Sequence, residues 1–232
     1  FYSKQILISN SSISNNINFL SEDNSLSGIT KKEKLILNLS ESLKYKTISY
    51  QDSIFSEPIH FLSFHKFLER AYPKVFSQLE KRIYSNYSIL LKWKGINNTP
   101  HNPILLMAHM DVVPIENYEQ WKNPPFSGNI DNDYIWGRGA LDDKSSLIAI
   151  LESIEHLLNS GFSPNRDIYL AIGHDEENSG TRGNAVIADS LASKGVYFDM
   201  VIDEGSVITD GMIPNLDKPV AIVGVAEKGY AS

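Results

Sequence analysis

Apolar positions along the chain follow two helical stretches and a series of short strands. Between residues 61 and 84, Phe61, Phe64, Leu68, Val75, Phe76 and Leu79 recur at helical spacing around Pro73, which predicts two helices or one broken helix. The strongest helical pattern follows residue 143. Leu147, Ile150, Leu151, Ile154, Leu157 and Leu158 fall on one face, with Asp142 or Asp143 as N-cap and Gly161 as C-cap. Residues 184–192 read as a further helix. Between these, residues 88–93, 134–136 and 200–202 read as strands. Residues 104–108 and 168–172 are continuous apolar runs, the mark of strands covered on both faces. Strands alternating with helices predict an α/β fold, a mostly parallel sheet flanked by helices.

Outside this region the pattern weakens. Residues 1–57 are rich in Ser, Asn, Ile and Lys and read as a polar, irregular segment, with a linker over 9–18 and one short helix near 31–43. Pro58 marks the change into the main domain, which is expected to run over 58–217. From residue 218 a new apolar run begins at Val220, so 218–232 reads as the start of another unit. No internal repeat is present.

Composition narrows the chemistry. The 232 residues carry 21 Lys and Arg against 28 Asp and Glu, a formal charge of −7. That acidity argues against neutralising a nucleic-acid backbone, so no nucleic-acid partner is expected. No apolar run is long enough to span a bilayer. The chain has no cysteine, so thiolate zinc sites, iron–sulfur clusters, disulfides and cysteine nucleophiles are excluded together. A metal must be held by His, Asp and Glu. The chain opens on Phe1, and a signal or membrane anchor is expected upstream of it.

Ligands of open α/β sheets bind beyond the carboxyl ends of the strands. His109 and Asp111 follow the strand at 104–108. His174, Asp175, Glu176 and Glu177 follow that at 168–172, and Asp203 and Glu204 follow that at 200–202. Asp142 and Asp143 open the strong helix. Taken singly, each has an ordinary reading: a loop hydrogen bond for His109-x-Asp111, a helix cap for Asp142-Asp143, solvated loops for the two acidic pairs. Together they send acids and a histidine from four segments to one edge. Converging carboxylates repel one another and lose hydration, which a divalent cation compensates. The donor set suits zinc, with manganese or cobalt as substitutes, and the number of acids favours two ions sharing a bridging carboxylate. Rival motifs fail. Gly137-Arg138-Gly139 lacks the third glycine of a dinucleotide fingerprint, and there is no P-loop, no Gly-x-Ser-x-Gly and no His-Glu-x-x-His. His60 and His65 lie in or before a helix with no obvious acidic partner set, His101 lies in a Pro/Asn loop, and His156 falls in the strong helix as a surface or flank residue. His174 is assigned to structural work, and Trp121, Phe126 and Trp136 to packing.

The strings LLMAHMDVVP, PPFSGNI, WGRGALDDKSSL, IYLAIGHDEENSG and VIDEGS, in that order, resemble the co-catalytic zinc peptidase and aminoacylase family. FHKFLERAYPKVFSQLEK is similar to its carboxypeptidase S branch. The resemblance covers roughly residues 58–232. It implies the zinc-peptidase catalytic fold over 58–217 and the first strand of an inserted α+β lid, which mediates dimerisation, over 218–232. It also implies two zinc ions per full-length chain. His109 and Glu204 would ligate one ion, Glu177 the other, and Asp142 would bridge them through a cis Asp142–Asp143 peptide. Asp111 and Glu176 are the implied catalytic residues, Asp111 accepting the other ring N–H of His109 and Glu176 acting as general base toward a metal-bridging hydroxide. The family's last ligand, a distal His, is expected beyond Ser232. Asn178-Ser179 departs from the family's usual hydrophobic-then-glycine pair. The function implied is hydrolysis of the amide bond of short peptides (carboxypeptidase type) or N-acyl amino acids, in a vacuolar or lysosomal lumen or outside the cell. The rival is a catalytically inactive relative that binds or scaffolds.

Overall fold

The computed structural model describes residues 5–7, 31–52, 57–96, 100–205, 208–215 and 218–221. The chain divides into two compact units, Phe1–Ile202 and Asp203–Ser232. In the first, β1 (Gln5–Leu7) and α1 (Lys31–Ser42) precede α2 (Pro58–Ala71), α3 (Pro73–Gln78), β2 (Glu80–Tyr84), β3 (Ser88–Trp93) and β4 (Ile104–His109). Then come β5 (Asn129–Asp131), β6 (Tyr134–Trp136), α4 (Lys144–Asn159), β7 (Ile168–Gly173), α5 (Asn184–Ala192) and β8 (Met200–Ile202). The second unit contains β9 (Ile208–Thr209) and β10 (Val220–Ala221), an antiparallel pair. The linker expected over 9–18 and the apolar run beyond residue 221 lie outside the described residues.

The main sheet has the order β2-β3-β7-β4-β8. β4 is parallel to β7 and to β8, whereas β3 is antiparallel to β2 and to β7. The α/β class stands: β2, β7, β4 and β8 share one direction, and the reversed β3 makes the sheet mixed. One strand departs from its sequence reading. Residues 80–84 continue the helical spacing of α3 in sequence, yet they form an edge strand. Four of its five residues are exposed, so no alternating apolar pattern betrays it, and Glu80, Lys81 and Arg82 are good helix formers. Ser85 and Asn86, with φ of +45° and +70°, reverse the chain into β3. A second small sheet joins β1, β6 and β5, all antiparallel.

Alternation along the strands explains the continuous apolar runs. On one face Ile89, Leu91, Trp93, Leu170 and Ile172 pack with Phe61, Phe64 and Leu68 of α2 and Leu147, Leu151 and Ile154 of α4. On the other, Leu90, Leu105, Tyr169 and Ala171 pack with Ile187 and Leu191 of α5. Each buried Leu, Ile or Phe side chain among them contributes about 1.5–3 kcal/mol. α4 ends in a Schellman arrangement. The Gly161 N–H donates to Leu158 and the Phe162 N–H to Leu157, with Gly161 at φ +75°. At its start Asp143 occupies the N-cap position but makes no side-chain cap. Its carboxylate is used elsewhere. Among the described residues no helix is long and apolar enough to cross a membrane.

Candidate metal centre

β4 and β7 run parallel, with His109 opposite Gly173. The residues that follow both strands therefore leave the sheet at the same end, and the start of α4 meets them there. His109 is buried and held from three sides. Its backbone N–H donates to Asp143 Oδ2 at 3.1 Å, the bond that takes Asp143 away from capping. Its Nδ1 lies 3.1 Å from the Asp111 carbonyl oxygen and 3.3 Å from Asp111 Oδ1. Its Nε2 faces Asp142 Oδ1 at 3.0 Å, with Glu176 Oε2 at 3.8 Å. Donation from Nδ1–H fixes the tautomer that presents Nε2 to the acids. The Asp142–Asp143 peptide is cis.

Asp111 is fully buried and organises the acidic turn after β7. Its Oδ1 accepts the Glu176 N–H at 3.1 Å, and its Oδ2 accepts the Glu177 N–H at 3.2 Å and the Ser49 hydroxyl at 2.6 Å. Burial pushes its carboxyl up, but His109, Ser49 and the Glu176 N–H outweigh that and hold it below the usual carboxylate range. The turn itself, residues 176–178, is one turn of 3₁₀ helix closed by Ser179 at φ +75°.

His109, Asp142 and Glu177 each bring a ligand atom within 4.8 Å of the others. The Glu177 carboxyl is pushed up to about 7, first by burial and then by the Asp142 carboxylate, with Asp111 and Glu176 adding to it and His109 opposing. One imidazole nitrogen and two mutually repelling carboxylate oxygens form a donor set that a divalent cation fits and stabilises. Of the six residues singled out in the sequence, His109, Asp111, Asp142, Glu176 and Glu177 are thus brought together within the first unit. Glu204 belongs to the second unit, where its N–H donates to Asp203 Oδ1 at 2.9 Å.

Several residues that shape the centre carry no sequence pattern. The segment 42–50, inside the polar N-terminal stretch, runs beside the residues after β4. Thr47 Oγ1 donates to the Met110 carbonyl at 2.6 Å, the Val112 N–H to Thr47 at 3.0 Å, and the Ser49 N–H to Val112 at 3.2 Å. Lys144 anchors its beginning from full burial, donating to the carbonyls of Ser42 at 3.0 Å and Tyr45 at 2.9 Å. Burial lowers the Lys144 ammonium to about 7, against the pull of Asp111. Arg182 anchors the end through the Tyr50 carbonyl at 3.2 Å, and its own N–H meets buried Asp175 at 2.8 Å. Gly183 is required here, because a Cβ would come within 2.4 Å of Asp175 Oδ1 and 2.7 Å of Ser88 Oγ. His174 bonds Ser88 Oγ at 2.6 Å through Nδ1 and packs against Tyr87 and Phe61, a structural placement.

Comparison with known proteins places this geometry. Residues 105–222 match the family described as peptidase family M20/M25/M40. The chain is 44% identical over 200 residues to the probable carboxypeptidase S-like 2 of Dictyostelium discoideum, covering 84% of this chain and 38% of that protein. It is 42% identical over 193 residues to the N-fatty-acyl-amino acid synthase/hydrolase of Mus musculus, covering 82% of this chain and 38% of that protein. Among solved structures it resembles an M20 family metallo-carboxypeptidase of Sulfolobus solfataricus, with a TM-score of 0.59, 27% identity, and coverage of 75% of this chain and 38% of that one. The chain therefore spans about two fifths of the length of these relatives. With a family match over half of its residues and an α/β fold shared with a metallo-carboxypeptidase, this chain belongs to peptidase family M20/M25/M40.

Proposed function

We propose that the chain is the metal-bearing part of a hydrolase that cleaves the amide bond of short peptides or N-acyl amino acids bearing a free carboxylate. The observation that carries this reading is the meeting of His109, Asp142 and Glu177 within 4.8 Å at the carboxyl end of the sheet of a peptidase-family chain. Those three residues would supply ligands to a zinc centre; by the resemblance His109, with Glu204, would serve one ion and Glu177 the other, Asp142 would be shared, and a distal His of the full-length protein would complete the set. A divalent ion so held supplies Lewis-acid polarisation of the scissile carbonyl and a more acidic water.

The chain's own residues do the rest. Glu176 and Glu177 are neighbours in very different surroundings. Glu177 is turned into the acidic cluster, whereas the Glu176 side chain is 49% exposed and reaches back only as far as 3.8 Å from His109 Nε2. Separated environments divide the labour of paired carboxylates. Glu176 takes a proton from water as its oxygen bonds to the amide carbon, then delivers it to the amine as the C–N bond breaks. Asp111 positions both acids through their backbone N–H groups and orients His109. Residues 218–232, as the beginning of a lid that carries a dimer contact, and a vacuolar, lysosomal or extracellular setting belong to the same proposal.

Glu176→Gln in the full-length protein tests it. Zinc content is expected to remain at the wild-type level while hydrolysis of an N-acyl amino acid falls by roughly a thousandfold or more, the range of a lost general base with its associated positioning. A variant turning over at the wild-type rate removes Glu176 from the reaction. An unmutated protein that binds zinc but hydrolyses nothing supports the inactive binding relative instead.

A further inference from the structure

Resting on the metal reading above, we infer that Ser49 and Asn178 are positioning residues that lock the acidic turn to Asp111, so that a residue outside the matched family region sets the geometry of the zinc ligands. Asn178 Nδ2 donates to Ser49 Oγ at 2.7 Å, and the Ser49 hydroxyl donates to Asp111 Oδ2 at 2.6 Å. Ser49 is 2% exposed and Asp111 fully buried. The relay ends on an ionised acceptor in a dry site, where each hydrogen bond polarises the next.

The topology of this relay matters more than its length. Asn178 lies in the same single turn as Glu176 and Glu177. That turn is therefore tied at three points: the Glu176 and Glu177 N–H groups to Asp111, and the Asn178 side chain to Ser49. Asp111 in turn flanks His109. One hydroxyl thus joins the general base, one ligand's backbone and another ligand's imidazole into a single unit. Ser49 is held for this purpose. Its N–H is fixed on Val112, and its strand-like neighbour Ile48 pairs with Val112 in parallel. Removing the hydroxyl takes the shortest described donor from a buried carboxylate and the acceptor from Asn178, freeing the turn to shift both glutamates.

The experiment uses the full-length protein, zinc titrated against a competing chelator, and backbone amide exchange at Glu176 and Glu177. Ser49→Ala is expected to weaken zinc by about tenfold or more, as the loss of an outer partner of a ligand does, to lower kcat with little change in KM, and to speed exchange at both amides. Ser49→Thr, which keeps the hydroxyl, is expected to restore zinc affinity. Asn178→Ala shifts both readouts the same way, and the double variant is no worse than Ser49→Ala alone, because the two side chains act through one relay. A folded Ser49→Ala with wild-type zinc affinity and wild-type exchange overturns the inference, as does full additivity in the double variant. If Ser49→Ala fails to fold, Asn178→Ala decides by the same two readouts, since Asn178 is only partly buried. Failure of the metal reading looks different: the unmutated protein takes up no zinc and His109→Ala changes nothing, while amide exchange still reports on the clamp.

Discussion

The two ends of the same parallel strands treat charge in opposite ways. At the amino ends of β4 and β7, Lys92 pairs with Asp167 at 2.8 Å, Arg166 with Asp199 at 3.0 Å, and His101 sits 3.6 Å from Asp199. Here basic groups meet carboxylates at a solvent-accessible edge, where such pairs are worth about 0–1 kcal/mol. At the carboxyl ends, His109, Asp111, Asp143 and Asp175 are 0–1% exposed, and burial, with the Asp142 carboxylate adding to it, pushes the Glu177 carboxyl up to about 7. Nothing in the packing of β4 or β7 demands this, since Leu106, Ala108, Leu170 and Ile172 would pack as well with neutral loops beyond them. A sheet end that gathers acids out of water is a candidate binding site on physical grounds, and the contrast supports the proposed metal centre at the carboxyl end.

This contrast breaks most easily at His109. His109→Ala is expected to cost at least roughly 100-fold in zinc affinity, more than the tenfold and upward typical of outer partners, and with it the turnover. Chelator competition measures the first. Comparable zinc loss from Lys92→Ala, at the other end of the strands, would erase the distinction between the ends.

The ends also differ in how legible they were. Strand ends and motif order locate His109, Asp111, Asp142, Glu176 and Glu177, because parallel strands necessarily bring the residues after them to one edge. The helices at 144–159 and 184–192 and the strands at 88–93, 134–136 and 200–202 follow from period alone. Three kinds of feature do not. The edge strand at 80–84 hides because solvent lets its residues be polar on both faces. Asp143 reads as a cap from its place before α4, and only the fold reveals that the His109 N–H claims its carboxylate. Ser49 and Lys144 act through long-range hydrogen bonds, Ser49 with Asp111 62 positions away and Lys144 with Ser42 102 positions away among them, and a bond between two distant polar residues leaves no periodicity in either.

Ser179 offers a gentler probe of the carboxyl end. It closes the acidic turn at φ +75°, a conformation that costs a non-glycine residue roughly 1–2 kcal/mol. Ser179→Gly, which restores the glycine usual in the resembling family, is expected to stabilise the protein by about 1 kcal/mol in urea unfolding with the zinc ligands untouched. A loss of stability would mean that the Ser179 side chain does more than occupy the turn.

The smallest effect is expected at the amino end. Burial pushes the Asp167 carboxyl up, but the Lys92 hydrogen bond and the Gly95 N–H at 2.8 Å outweigh it and hold the carboxyl below its ordinary value. The Asp167 hydrogen bond raises the Lys92 ammonium against its own burial. A depressed carboxyl contributes stability above its unfolded pKa of about 3.9 and loses it as pH falls through the folded value. A raised ammonium contributes below its unfolded pKa of about 10.4 and loses it as pH rises through the folded value. The pair is therefore fully formed across the neutral range and fails only toward either extreme. Lys92→Ala is expected to cost no more than about 1 kcal/mol at pH 7, and the gap from wild type should narrow on acidification as Asp167 takes up its proton. Denaturant unfolding at pH 7 and at successively lower pH measures this. A gap that fails to narrow in acid would give Lys92 a role beyond its carboxylate, through the face of Tyr169 over which it lies at 5.5 Å.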